Sequence, residues 1–325
     1  MKEQTAIKTD SRKVRTFHHG NELRGITRQW DLQSMVWPGL ICLILFSYIP
    51  MYGVIIAFKE YDIFLGIGAS PWVGLYQFNM FFDSPELSMV MRNTIIISTL
   101  KLILIFPSPI LLALLLNEIK HNGFKRFIQT ATYLPHFISW VIVSGLVFSL
   151  LSVESGSVNY LLMKLGFIDN PINWLSMPQH FYGILLSSNL WKEIGFSSIV
   201  YLAAIAGINP SLYEAAEIDG AGRFRKMFSV TLPCIAPVVI IFLILAIGNL
   251  LSAGFEDILT LTNNGKNGTL TSMAEVLDTY VYRVGLGEQR YSFATAVGLF
   301  KSLINIVLLV GANAIAKRVG GNSLW

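Results

Sequence analysis

Charged side chains are scarce in this chain. Lys, Arg, Asp and Glu make up 14% of its 325 residues, against 53% hydrophobic. A soluble globular domain carries about 25% charged residues, so the balance excludes an ordinary water-soluble fold. Cysteine is almost absent. Cys42 and Cys234 are the only two, both in or beside apolar runs; they imply no disulfide or metal framework and read as small buried side chains. No Cys/His cluster with metal-ligand spacing occurs. Nor does a Gly-x-x-x-x-Gly-Lys-Ser/Thr phosphate loop: Gly265-Lys266 lacks both the preceding glycine spacing and the following hydroxyl. Any nucleotide-driven step must therefore come from a partner. Residues 1–33 are polar and basic, and no small-residue cleavage site follows the first apolar run, so no cleavable signal peptide is expected.

Long apolar runs take the place of charge. A membrane-spanning helix needs ~20 such residues. Six stretches read as spans: 37–58, 94–116, 127–151, 181–208, 235–251 and 293–316. Pro50 predicts a kink in the first span and Pro135 one near the start of the third. Pro107-Ser108-Pro109 predicts an interruption of the second. The fold expected is an all-α integral-membrane bundle of six helices.

Orientation follows from lysine and arginine, which accumulate on the cytoplasmic side. The N-terminal arm carries seven of them. Lys120, Lys125 and Arg126 lie between spans two and three. Arg223, Arg225 and Lys226 lie between four and five, and Lys317 and Arg318 in the tail. The alternate loops are poorer. Both termini are therefore expected in the cytoplasm, and the net charge of +4 reflects orientation in the membrane, not nucleic-acid binding. Among the outer loops, 253–291 is the longest. It holds the turn dipeptides Asn264-Gly265 and Asn267-Gly268, then a helix-compatible run over 272–283.

The loop at 209–233 is the most informative stretch. Asn209-Pro210 reads as a helix start, with an amide cap and a proline pre-set for the first helical position. Leu212, Ala215, Ala216 and Asp219 share one face by three-and-four spacing. Ala215 and Ala216 are small enough to let another surface approach closely. Glu214 and Glu217 offer acceptors to basic or amide donors. Gly220 suits the stop, residues 221–228 can form a second short helix, and Leu232-Pro233 marks re-entry into the membrane. An ordered, charged helix–turn–helix between spans has little reason to exist unless something docks on it.

The string from Glu214 through Asp219-Gly220 to Leu232-Pro233 resembles the EAA loop of binding-protein-dependent ABC importer permeases with the MetI-like fold. Runs at 109–118, 129–140, 191–195 and 201–204 are similar to the polysaccharide and oligosaccharide branch of that family, in particular to an alginate-type first permease subunit. The resemblance implies a basic cytoplasmic arm (1–33), an additional first helix (34–58), a MetI-like permease domain (90–318) and, within it, a cytoplasmic coupling loop (209–233). It implies a second homologous permease, two ATPase subunits that bind ATP and Mg, an extracytoplasmic solute-binding protein, and no cofactor on this chain. The membrane is then the bacterial inner membrane, and Glu214, Ala215, Ala216, Asp219 and Gly220 would sit in a cleft on the ATPase.

Ionisable groups at membrane depth cost about 2.5–3.5 kcal/mol each, so each is a candidate functional residue. Lys101 lies in span two, Lys192 and Glu193 in span four, Lys301 in span six, and Asn249, Ser252, Glu256 and Asp257 near the outer end of span five. A sugar path needs hydrogen-bonding groups and aromatic faces. Trp191, Lys192, Glu193, Asn249, Phe255, Glu256 and Tyr280 are the candidates, and lysines would offset a uronate's charge. The bland reading is that Lys101 and Lys301 snorkel or face a partner, while Lys192 and Glu193 pair with other helices. Adjacent residues point about 100° apart on a helix, so those two are not expected to pair with each other. An ion-coupled transporter would show an acid pair and internal repeats. A membrane enzyme would need partners for His136 or His180. Neither pattern is present. A permease for a small sugar or glycerol phosphate is the alternative within the leading class.

Overall fold

The computed structural model describes residues 30–265, 267–320 and 323–325; residues 1–29 of the N-terminal arm, Lys266, Gly321 and Asn322 lie outside the described residues. The chain divides into two compact units, 1–54 and 55–325. The described part of the first is the helical segment that continues as α1 (Ser34–Phe58). The second unit is helical apart from an isolated antiparallel bridge between Lys59 and Trp72. Its principal helices, in order, are α2 (Leu87–Asn117), α3 (Asn122–Phe137), α4 (Trp140–Leu151), α5 (Pro178–Ala206), α6 (Pro210–Ile218), α7 (Arg223–Gly248), α8 (Glu256–Leu261), α9 (Leu277–Tyr282) and α10 (Tyr291–Gly320). Among the described residues, four helices are long and apolar enough to cross a membrane, or six if each of two bent pairs counts as one span.

One proline run acts differently from expectation. Pro107 and Pro109 do not interrupt α2. A wide π turn, Lys101–Ile105, precedes them, and the Phe106 N–H donates to the Lys101 carbonyl at 3.1 Å. Proline has no N–H and its ring clashes with the carbonyl four residues back; an extra residue in the preceding turn moves that carbonyl aside. The same device occurs at Ile44–Tyr48 ahead of Pro50 and at Met227–Thr231 ahead of Pro233. Leu232-Pro233 therefore lies inside α7, and the expected second short helix of the loop is the first part of α7 itself.

The third span is where the helix breaks. α3 and α4 meet at 102° across Ile138-Ser139. Pro135 falls in the tight final turn of α3, and the Ser139 hydroxyl caps α4 by accepting from the Ile142 N–H. The run over 272–283 is likewise not one helix. A short turn, Thr271–Ala274, ends in extended backbone at Glu275 and Val276 before α9 begins. Asn263, Asn264 and Gly265 all adopt positive φ, as the turn signal required.

α5 is the central strut. It packs against α2, α3 and α7, while α7 packs along α10. At Gly195 a Cβ would stand 2.1 Å from the Thr132 carbonyl oxygen, so only glycine permits the α3–α5 approach. Three apolar clusters hold the second unit together. One gathers Ile97, Phe181, Leu185 and Ile258; a second gathers Phe81, Leu277, Tyr280 and Phe293; a third gathers Ile110, Tyr201, Ile205 and Ile235. Cys42 and Cys234, expected inside, are both exposed. In a membrane the apolar solvent lies outside the protein, so an apolar neighbourhood in sequence does not imply burial within the chain.

Candidate functional site

The 209–233 loop forms a firmly built ledge. The Asn209 side-chain oxygen accepts from the Ser211 N–H at 3.1 Å, and Pro210 occupies the first helical position of α6. At the other end the Gly220 N–H donates to the Glu217 carbonyl at 3.0 Å and the Ala221 N–H to the Ala216 carbonyl at 2.8 Å. With Gly220 at φ +76°, this is the paired closure that glycine makes cheaply. Two ties hold α6 to α7. Tyr213 and Thr231 hydroxyls lie 2.9 Å apart, and Lys226 pairs with Glu217. The Lys226 hydrogen bond and then its charge hold the Glu217 carboxyl below the usual carboxylate range.

α6 turns 73° from α5. Glu214, Ala215, Asp219 and Gly220 are exposed on it, Ala216 is half-buried, and Ile218 is 88% exposed, with Phe224 at 75% beyond the turn. Leu232 is partly buried and Pro233 exposed within α7. The ledge thus combines small residues, carboxylates and large apolar side chains that no described part of the chain covers.

The candidate path residues do not converge. Asn249 is exposed at the end of α7 and lines a groove of about 450 Å³ with Phe106, Phe196, Tyr201 and Phe242. A contiguous groove adds Ser98, Lys101 and Ser252. Trp191 is about half exposed elsewhere on α5. Phe255 packs edge-on to Tyr282, ring centres 5.2 Å apart. Tyr280 is 2% exposed, locked in the second cluster against Phe293. Glu256 is exposed, whereas its neighbour Asp257 is buried and receives the Asn189 amide at 3.0 Å and the Lys101 ammonium. The aromatic lining of the groove was hidden in sequence because its rings come from three helices.

The intramembrane lysines are paired. Lys101 meets Asp257, and Lys301 meets Asp278; neither is left to snorkel. Lys192 and Glu193, expected to stay apart, approach to 3.4 Å. Their long side chains converge on one object. Glu193 binds the His136 ring nitrogen at 2.9 Å, and Lys192 donates to the His136 carbonyl at 2.6 Å. His136 is stacked on Phe196 at 3.8 Å. The backbone angle between neighbours is the one expected; the common partner overrides it.

Known proteins share this architecture along nearly the whole chain. A polygalacturonan/rhamnogalacturonan transport system permease protein, YteP of Bacillus subtilis (strain 168), is 44% identical over 92% of this chain and 92% of its own length. The crystal structure of a bacterial ABC transporter involved in the import of the acidic polysaccharide alginate contains a chain 42% identical, with a TM-score of 0.83 over 92% of this chain and 99% of that one. A second structure, of the bacterial alginate ABC transporter in complex with an alginate pentasaccharide-bound periplasmic protein, matches at 41% identity with a TM-score of 0.84. Residues 105–321 match the family of binding-protein-dependent transport system inner membrane components. The 209–233 ledge, the helical spans and these likenesses together place the chain in that family: it is an inner membrane component of a binding-protein-dependent transport system.

Proposed function

We propose that the chain is one permease subunit of an ABC importer that carries acidic oligo- or polysaccharides, of the pectin or alginate kind, into the cell. The observation that carries this reading is the near-full-length likeness, above 40% identity, to two transport proteins whose named cargoes are both uronate polymers. In this reading an extracytoplasmic binding protein delivers the sugar, a second permease completes the pore, and two ATPases supply the energy. Residues 209–233 face the cytoplasm, together with both termini and the basic arm. Glu214, Ala215, Ala216, Asp219 and Gly220 enter a cleft on the ATPase. The ties at both ends of α6 suit that role, because a ledge that yielded under load could not transmit the ATPase's closure to α5 and α7 as a rigid-body motion. The groove that Asn249 shares with Phe106, Phe196 and Phe242 offers the aromatic faces and hydrogen-bonding groups a sugar requires.

The test is ATP hydrolysis by the chain reconstituted with its partner permease, ATPases and binding protein, across acidic and neutral oligosaccharides. Stimulation by uronate oligomers is expected. Stimulation by neutral or small sugars alone would discard the acidic cargo and keep the importer.

A further inference from the structure

A lysine stands at the break between α3 and α4, and another at the connection between α7 and α8. At the end of α3 the helix leaves carbonyls without helical partners, and Lys192, 5% exposed, donates to that of His136. Beyond the end of α7 the chain passes through Gly254, at φ +118°, before α8 begins. There Lys101 donates to the Ala253 carbonyl at 2.8 Å and pairs with Asp257 at the start of α8. An alanine at 254 would place its Cβ 2.4 Å from an Asp257 oxygen and 2.6 Å from the Lys101 ammonium, so the turn is shaped around the pair. In a membrane an unpaired carbonyl has no water to bind, and a cation suits the negative end of a helix.

The break and the connection are joined. α4, which follows the first, packs against α8, which follows the second, and Ser144 donates to Thr260 between them at 2.7 Å. α5 grips both. Asn189 holds Asp257 and Lys192 holds His136, and these two residues, three apart, share one helical face with Gly195.

We infer that Lys101 and Lys192 are positioning residues: with Asn189 they clamp the α3–α4 break and the α7–α8 connection to α5 and α2, fix the wall of the groove, and do not read the charge of the sugar. Each lysine already has a carboxylate and a carbonyl, which leaves little of its charge for a uronate. The inference rests on the importer reading, since it concerns how that importer's groove is held.

The test uses the assembled transport complex and whichever oligosaccharide stimulates the wild type. In Lys101→Met the maximal stimulated ATPase rate should fall roughly tenfold while the half-saturating sugar concentration stays within about twofold, the mark of lost positioning and not of lost ground-state binding. The double variant Lys101→Met/Asp257→Asn should recover most of the rate and of the complex's thermal midpoint, because no unpaired carboxylate remains buried. Lys192→Arg should keep both and Lys192→Met should not. A lysine that read the sugar would behave otherwise: half-saturation would rise roughly tenfold at unchanged maximal rate, and neutralising Asp257 would rescue nothing. Either result overturns the clamp. Should Lys101→Met fail to assemble, the double variant decides by its own assembly and rate. Failure of the acidic-sugar reading shows separately, in the wild type's response to the sugar panel, while the thermal midpoints report on the clamp without any sugar.

Discussion

Glu214 stands exposed on α6, with no partner among the described residues that would make it structural. Glu217, one turn on, is tied to Lys226. The two carboxylates should therefore separate in experiment. On the proposed docking of α6 in an ATPase cleft, Glu214→Lys reverses the charge at the docking surface and should abolish sugar import while leaving the protein in the membrane, as uptake assays and membrane immunoblots would show. Normal uptake by that variant would refute the docking assignment. Glu217 responds to pH in a known direction. Its carboxyl is held low by Lys226, so the pair is intact from the unfolded carboxylate's range upward and is lost only as pH falls through the lower folded value. Glu217→Gln should retain most of the import near neutrality, because the Tyr213–Thr231 contact still ties α6 to α7 and exposed ion pairs contribute little. At this scale the sequence was legible where local pattern decides exposure, as on the ledge. It was illegible where the partner is distant. Nothing local distinguishes buried Asp257 from exposed Glu256; the difference lies in Lys101 and Asn189, brought in by two other helices.

Elements were legible where one cause decides them. The Asn209-Pro210 start and Gly220 stop of α6 lie where capping chemistry puts them. Pro107-Ser108-Pro109 misled because two remedies exist for a proline in a span. A π turn lets α2 pass Pro107, whereas the tight turn at Pro135 ends α3, and the choice depends on what satisfies the freed carbonyls. For α3 that is Lys192, which no local pattern announces. Two glycines test the elements directly. Gly195→Leu would force α3 away from α5, since even a Cβ collides with the Thr132 backbone. Overpacking of this kind costs about 1–3 kcal/mol or more, and the variant should show a lowered thermal midpoint in detergent. Gly220→Val differs. A Cβ there meets no neighbouring atom, but left-handed backbone at φ +76° costs a β-branched residue roughly 1–2 kcal/mol. The cost falls on the end of α6 alone, so global stability should hold while sugar-stimulated ATP hydrolysis drops. A global unfolding shift as large as that of Gly195→Leu would contradict the local assignment.

For the whole molecule the open physical question is which face of the membrane each loop meets. Charge distribution answers it in one sense: the arm, the α2–α3 connection, the 209–233 ledge and the tail are rich in lysine and arginine, and the intervening loops are poor. The fold adds a feature that hydropathy lacks: α3 and α4 turn through 102°. Ile218 at the tip of the ledge is 88% exposed, and Asn267 lies in the loop between α8 and α9, a loop of the opposite predicted side. Both native cysteines are exposed on apolar spans, and a Cys42→Ala/Cys234→Ala background assigns all labelling to the introduced thiol. In that background Ile218→Cys should react with a membrane-impermeant maleimide only in inside-out vesicles, and Asn267→Cys only in intact spheroplasts. The expected contrast is all-or-none, because a reagent that cannot cross the bilayer samples one face. Labelling of both positions from the same side would mean that the number of crossings between them is even, not odd; were that side the outer one, the ledge would stand on the wrong side to meet an ATPase.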